Sequence, residues 1–230
     1  MIFSLFDSCK SYISAQAEHP AQKTKLLLPA VTISRETGAG AVSIAKLVAA
    51  SMEKRVKTPD YPWAIFDRNL VEQVLEDHDL PKRIKRFMPE DAMPEFQSAL
   101  EEFLGLHPGK WALFEHTTET ILRLANAGNC ILIGRGSSII TRHLKHVYQV
   151  RLVGPVEQRV HHCEEYYQLT HREALAFVSH MDAARQRFIH QHFHCEIDDP
   201  LQYHLTINTG RVSFEDAAEL IVQALLKMER

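Results

Sequence analysis

Long apolar runs are missing from this sequence, and none approaches the ~20 residues that a membrane-spanning helix requires. Cysteine is scarce. The four thiols (Cys9, Cys130, Cys163, Cys195) include no C-x-x-C pair, so neither a disulfide framework nor a zinc ribbon is expected. Positive charge is not in excess: 26 Lys and Arg against 29 Asp and Glu leave a formal charge of −3. That balance gives no long-range field for gripping nucleic acid. The opening MIFSLFDSCK lacks a basic segment, and Asp7 interrupts its apolar stretch, so it does not read as a signal peptide. The expectation is a reduced, cytoplasmic protein with neither membrane nor nucleic acid as a partner. What is present is a chain of 230 residues, 45% apolar and 24% charged, which suits one globular domain with a small lid or insertion.

Residues 1–26 read as an amphipathic helical extension, with Ile2, Phe3, Leu5, Phe6, Cys9, Tyr12 and Ile13 on one stripe. It is expected to pack on the main domain or on a second subunit, which makes a homodimer one expectation. The remainder, 27–230, alternates. A strand at 27–34 leads through a glycine loop to a helix at 40–55, and "WAIFD" is a short strand ending at Asp67. Residues 81–110 read as helical pieces joined by turns, and a helix at 112–127 stops at Gly128. "CILIG" (130–134), apolar on both faces, is a buried parallel strand. "VYQVRLVG" (147–154) is another strand, 156–195 a long charged helical stretch, and "YHLTINT" (203–209) the last strand. Ser213 is placed to cap a final helix through Leu226. Strands alternating with helices imply an α/β fold, a parallel sheet between two helical layers.

"ISRETGAGAVSIA" carries the chemistry. Strand, glycine loop and helix in this order bring unpaired backbone N–H groups and a positive helix end to one point, which binds phosphate with no particular side chain. Gly38 and Gly40 can take positive φ and let the backbone approach an anion. The common P-loop pattern G-x-x-x-x-G-K-[ST] fails at two places, because Arg35 stands for its first glycine and Ala41 for its lysine. An ordinary βα turn with small residues is the competing reading. Arg35 is the better candidate to replace the lysine, since Lys46 lies ~7.5 Å further along the helix axis.

Several stretches, in order, resemble the cytidylate kinase-like branch of the P-loop nucleoside monophosphate kinases over roughly 30–226. "ISRETGAG" followed by Ile44-Ala45 is similar to that branch's lysine-free loop. "FDRNLV" resembles the segment that opens its monophosphate-binding helices, and "ILIGRGSS" the turn whose arginine faces the acceptor phosphate. "RLVGPVEQRV" with "DAARQR" resembles the strand, helix and arginine-bearing lid, and "YHLTINT" the strand whose following loop lies near the ATP base. The chain departs from typical monophosphate kinases at Ala41 and from cytidylate kinases proper at Ile133, where an aspartate would stand.

The resemblance implies a P-loop three-layer sandwich with a helical monophosphate-binding region and a helical lid over about 156–198. It implies Mg2+ and ATP as cofactors and a nucleoside monophosphate, CMP or dCMP first, as acceptor. The phosphate loop would be Ser34, Thr37, Gly38, Ala39, Gly40, Ala41, Val42 and Ser43. Phosphoryl transfer needs positioning and cations around the moving group, a task suited to arginine's planar fork. Arg35, Arg135, Arg185 and Arg187 are the catalytic candidates, with Arg159 a weaker one; Asp67, Arg68 and Arg135 would hold the acceptor. Each has a plain alternative: Asp67 capping a helix, Asp182 pairing with Arg185, the lid arginines on a solvated face, Asn208 and Thr209 making a turn. His190 and His194 share the i, i+4 spacing of a zinc pair, but no further ligand is placed, and no metal site of the protein's own is expected. A nucleotide-binding regulator lacking turnover, and a kinase of another small phosphoryl acceptor, stay open as alternatives.

Overall fold

The computed structural model describes residues 28–56, 62–67, 110–134 and 136–228. The N-terminal stripe, Arg68, the helical pieces expected at 81–109 and Arg135 lie outside the described residues. Five strands form one parallel sheet in the order β2-β3-β1-β4-β5: β1 (Ala30–Arg35), β2 (Ala64–Phe66), β3 (Cys130–Ile133), β4 (Val147–Val153) and β5 (Leu205–Asn208). The helices are α1 (Ala41–Arg55), α2 (Lys110–Ala127), α3 (Ser137–Ile140), α4 (Val156–Tyr167), α5 (His171–Phe193) and α6 (Phe214–Lys227). None of the described helices is long and apolar enough to cross a membrane.

Strand alternation sorts the core onto two faces. Val31, Ile33, Ile131 and Ile133 point to one side, where Ile44 and Val48 of α1 meet Ile221 and Val222 of α6. Ala30, Cys130 and Leu132 point to the other, against Ile121 and Ala125 of α2. Apolar residues on both faces are what a sheet covered by helices on both sides demands. Thr32, fully buried at the centre, is satisfied by a 3.0 Å hydrogen bond to the Ser138 hydroxyl.

The stretch expected as one helical run from 156 to 195 is two helices. α4 ends at Gln168, which takes the left-handed conformation at φ 55°, and Thr170 starts α5. The Thr170 hydroxyl accepts from the Glu173 N–H while the Glu173 carboxylate accepts from the Thr170 N–H, a reciprocal capping box. Val160 and Cys163 of α4 then pack on Ala174 and Val178 of α5, and from this antiparallel pair Arg159 and Asp182 reach Thr37 in the loop after β1. The fold therefore places a helical hairpin opposite the β1–α1 loop, at the C-terminal edge of the sheet, where open parallel sheets bind ligands.

Candidate functional site

β1 gives way to a tight turn in which Ala39 N–H reaches the Glu36 carbonyl, and α1 begins at Ala41. Gly40 caps α1 at φ 79°, with no side-chain cap and no acidic residue in the first turn. The first turn of a 15-residue helix thus presents its amides and the positive end of its dipole without a carboxylate of its own sequence. Both glycines are required by shape as well as by φ. A Cβ on Gly38 (φ +81°) would lie 2.3 Å from the Arg159 carbonyl oxygen, and one on Gly40 2.3 Å from the Phe214 ring.

The loop is held from the hairpin. One Asp182 oxygen accepts from the Thr37 N–H and the Thr37 hydroxyl, each at 2.7 Å, and from Arg185 Nη1 at 3.0 Å. The other takes Arg159 Nη1 at 2.7 Å. Arg185 also donates to the Thr37 hydroxyl. Arg159, 6% exposed, donates to the Gly154 and Thr37 carbonyls and pairs with Glu36 at 3.2 Å. Glu36 in turn accepts from Gly154 N–H, and His162 Nδ1–H donates to the Gly38 carbonyl at 2.8 Å. These contacts set the turn's conformation without drawing on the amides at the start of α1.

A cleft of ≈ 410 Å³ opens beside the loop. Thr37 through Ser43 form its floor, Asp67 and Ile133 one wall, and Tyr166, Tyr167, Phe177 and Met181 of the hairpin the other; Arg35 and Arg185 also line it. Two arginines and two carboxylates (Glu36, Asp67) nearly cancel, so a polyphosphate entering here needs a cation of its own. The Ser43 hydroxyl and the Asp67 carboxylate are hard oxygen donors, the kind Mg2+ takes directly or through water. Burial pulls the Arg185 pKa down while Asp182 opposes the shift, and the group remains a cation at neutral pH. The Tyr167 hydroxyl is pushed up, first by burial.

The expected site residues separate into groups. Thr37, Gly38, Ala39, Gly40, Ala41, Val42, Ser43, Arg35, Asp67 and Arg185 come together on the cleft. Ser34 does not reach it. Its hydroxyl accepts from buried Arg151 at 2.9 Å and from Tyr203 at 3.2 Å, and it lines a second cavity of ≈ 50 Å³ together with Arg35 and Arg185. Arg187 is exposed and lines neither space. Arg159 is a strut of the loop, spent on carbonyls and carboxylates. Asn208 accepts from Gly210 N–H and Thr209 donates to the Val153 carbonyl, which is the turn reading of that pair. His190 pairs with Glu196, and no cluster of metal-binding side chains occurs among the described residues. Glu36, His162 and the loop contacts of Asp182 were missed by the sequence reading. Their partners lie more than 100 residues away, and only the spacing of Asp182 and Arg185 offered a signal.

Of the solved structures compared, one superposes well enough to share this architecture, at low identity. The crystal structure of an uncharacterized protein from Eubacterium ventriosum superposes with a TM-score of 0.57 at 16% identity, covering 86% of this chain and 99% of that one. Shikimate kinase from Acinetobacter baumannii, in complex with shikimate, gives a TM-score of 0.42 at 17% identity, covering 88% of this chain and 96% of its own. No curated protein matches by sequence. The model of the cytidylate kinase-like family matches residues 30–211, from the first residue of β1 to just past β5, and so takes in the loop, Asp67, the Gly134–Gly136 turn and Arg185. On that match the chain belongs to the cytidylate kinase-like family.

Proposed function

We propose that the protein transfers the terminal phosphoryl group of Mg-ATP to a nucleoside monophosphate, with CMP or dCMP the first candidate. The observation that carries this reading is the convergence on one cleft of the uncapped α1 N-terminus, Asp67 at the end of β2 and Arg185 from the hairpin. The α1 amides would hold the donor phosphates, and Ser43 with Asp67 would hold the magnesium shell. When bound there, magnesium would supply the positive charge that phosphoryl transfer needs. Arg185 and Arg35 would stand beside that group, and Arg68 and Arg135, by family resemblance, would bind the acceptor phosphate. The test is ADP formation with CMP, dCMP, UMP, AMP and GMP, with Arg135→Ala as control. Acceptor-dependent ADP that collapses in the variant supports the reading; ATP binding without turnover on any acceptor contradicts it.

A specific arrangement favours a second reading, a nucleotide-binding regulator. One Arg185 nitrogen, Nη1, is already engaged by Asp182 and Thr37, and Ala41 and Ile133 offer no charge where lysine and aspartate would act. ATP binding that alters the protein's association state, without turnover, is the outcome expected on that reading.

A further inference from the structure

Beyond the phosphate loop, the cleft has a wall whose chemistry differs from its floor. α4 carries His162, which holds the Gly38 carbonyl, and one helical turn further, ~6 Å along the axis, it carries Tyr166. Tyr166 and Tyr167 are 58% and 53% exposed, yet both line the same cleft as the loop. Their rings are fixed by neighbours rather than scattered. Tyr166 meets Tyr167 at 4.9 Å and 76° and His162 at 6.2 Å and 67°, while Tyr167 meets Phe177 at 5.3 Å and 65°. Both contacts of Tyr166 are steeply inclined, so neither Tyr167 nor His162 stacks in parallel on its ring. A positioned aromatic face, reached from the phosphate floor without leaving the cleft, offers what a planar heterocycle stacks on.

We infer that Tyr166 is the stacking platform for the base of the nucleotide whose phosphates lie on the β1–α1 loop, with Tyr167 and His162 holding its ring in place. The inference rests on the nucleotide reading given above and adds to it a ring-binding subsite on the hairpin. Asn208 and Thr209, the base-side expectation from sequence, are occupied by their turn and do not line the cleft. Stacking tolerates any base, since each has a π-face. The donor subsite should therefore accept GTP nearly as well as ATP, and hydrogen-bonding selectivity for the donor base should be weak.

The test is calorimetric binding of Mg-ATP and of magnesium tripolyphosphate, which has the phosphates but no base, to the wild-type chain, Tyr166→Ala and Tyr166→Phe. Tyr166 is more than half exposed, so both variants should fold, and circular dichroism checks that they do. The wild type should bind ATP more tightly than tripolyphosphate. Tyr166→Ala should weaken ATP binding about tenfold and leave tripolyphosphate unchanged, and Tyr166→Phe should restore ATP affinity. Equal affinity of the wild type for the two ligands, or loss of both ligands together in Tyr166→Ala, overturns the inference and leaves the phosphate loop standing. Binding of neither ligand by the wild type overturns the nucleotide reading itself.

Discussion

Two turns of this molecule share one local design and differ in what they can hold. The β1–α1 loop carries Gly38 and Gly40 at φ +81° and +79°, and the β3–α3 turn carries Gly134 and Gly136 at φ +81° and +72°. In both, the second glycine caps a helix with no side-chain help and is covered by an aromatic ring, Phe214 in one case and Phe193 in the other. The helices that follow are unlike. α1 has 15 residues and a full macrodipole; α3 has 4. Backbone geometry alone therefore equips the first turn for an anion, whereas the short helix after the second lends it little dipole of its own. The braces differ as well. Gly38 packs on backbone, the Arg159 carbonyl, whereas Gly134 packs on the movable Arg35 guanidinium.

That contrast sets the order of expected effects. Gly38→Ala should be the most damaging change, because a positive φ costs roughly 1–2 kcal/mol for an L-residue and the new Cβ also meets an immovable carbonyl oxygen. A loss of about 3 kcal/mol in denaturant unfolding is expected, together with loss of ATP binding. Asp182→Asn comes next. It keeps the shape but removes the charge shared by Arg159, Arg185 and the Thr37 N–H. A loss of about 2 kcal/mol is expected, read as a lower denaturant midpoint at unchanged slope. Gly134→Ala pays the same φ penalty, but its neighbour can swing away. About 1–2 kcal/mol of stability should go, and on the proposed kinase reading displacement of Arg35 should lower kcat/KM by roughly 10- to 100-fold. If Gly134→Ala proves as destabilising as Gly38→Ala, the distinction between a rigid and a movable brace is wrong.

The smallest effect is a pH dependence away from both turns. His204 Nδ1 accepts the Gln149 N–H at 3.0 Å, its ring stacks on Tyr148 at 4.9 Å, and burial lowers its pKa. A histidine whose folded pKa lies below its unfolded value supports the fold above about pH 6.5, and that support fades as the unfolded chain takes up the proton first. Melting temperature should fall slightly from pH 7 to pH 5.5, and His204→Asn should flatten that slope.

Much of the frame was legible in the sequence, because apolar runs bounded by glycine mark buried parallel strands. "CILIG" was read one residue long and "VYQVRLVG" likewise, errors at the strand ends where a following glycine still looks apolar. The break between α4 and α5 was missed although Thr170-x-x-Glu173 announces it; tyrosines and charges on either side masked the stop. The loop glycines were legible through their spacing. Its braces were not. Glu36 with Gly154, His162 with Gly38, and Asp182 with Thr37 are contacts across more than 100 residues, and nothing local in the sequence distinguishes those side chains from surface charges. Arg159 shows the same limit: a charged residue in a charged helix became a buried strut.

The start of α1 is expected to bind phosphate through backbone amides with no lysine. Hydrogen–deuterium exchange of the full chain, with and without Mg-ATP, tests it most directly. Slowed exchange is expected for the amides of Gly38 through Ser43 when Mg-ATP is added, and a smaller change in the Gly136–Ile140 turn until an acceptor monophosphate is also present. Protection elsewhere in the chain, with Gly38–Ser43 exchanging at the unliganded rate, would contradict it.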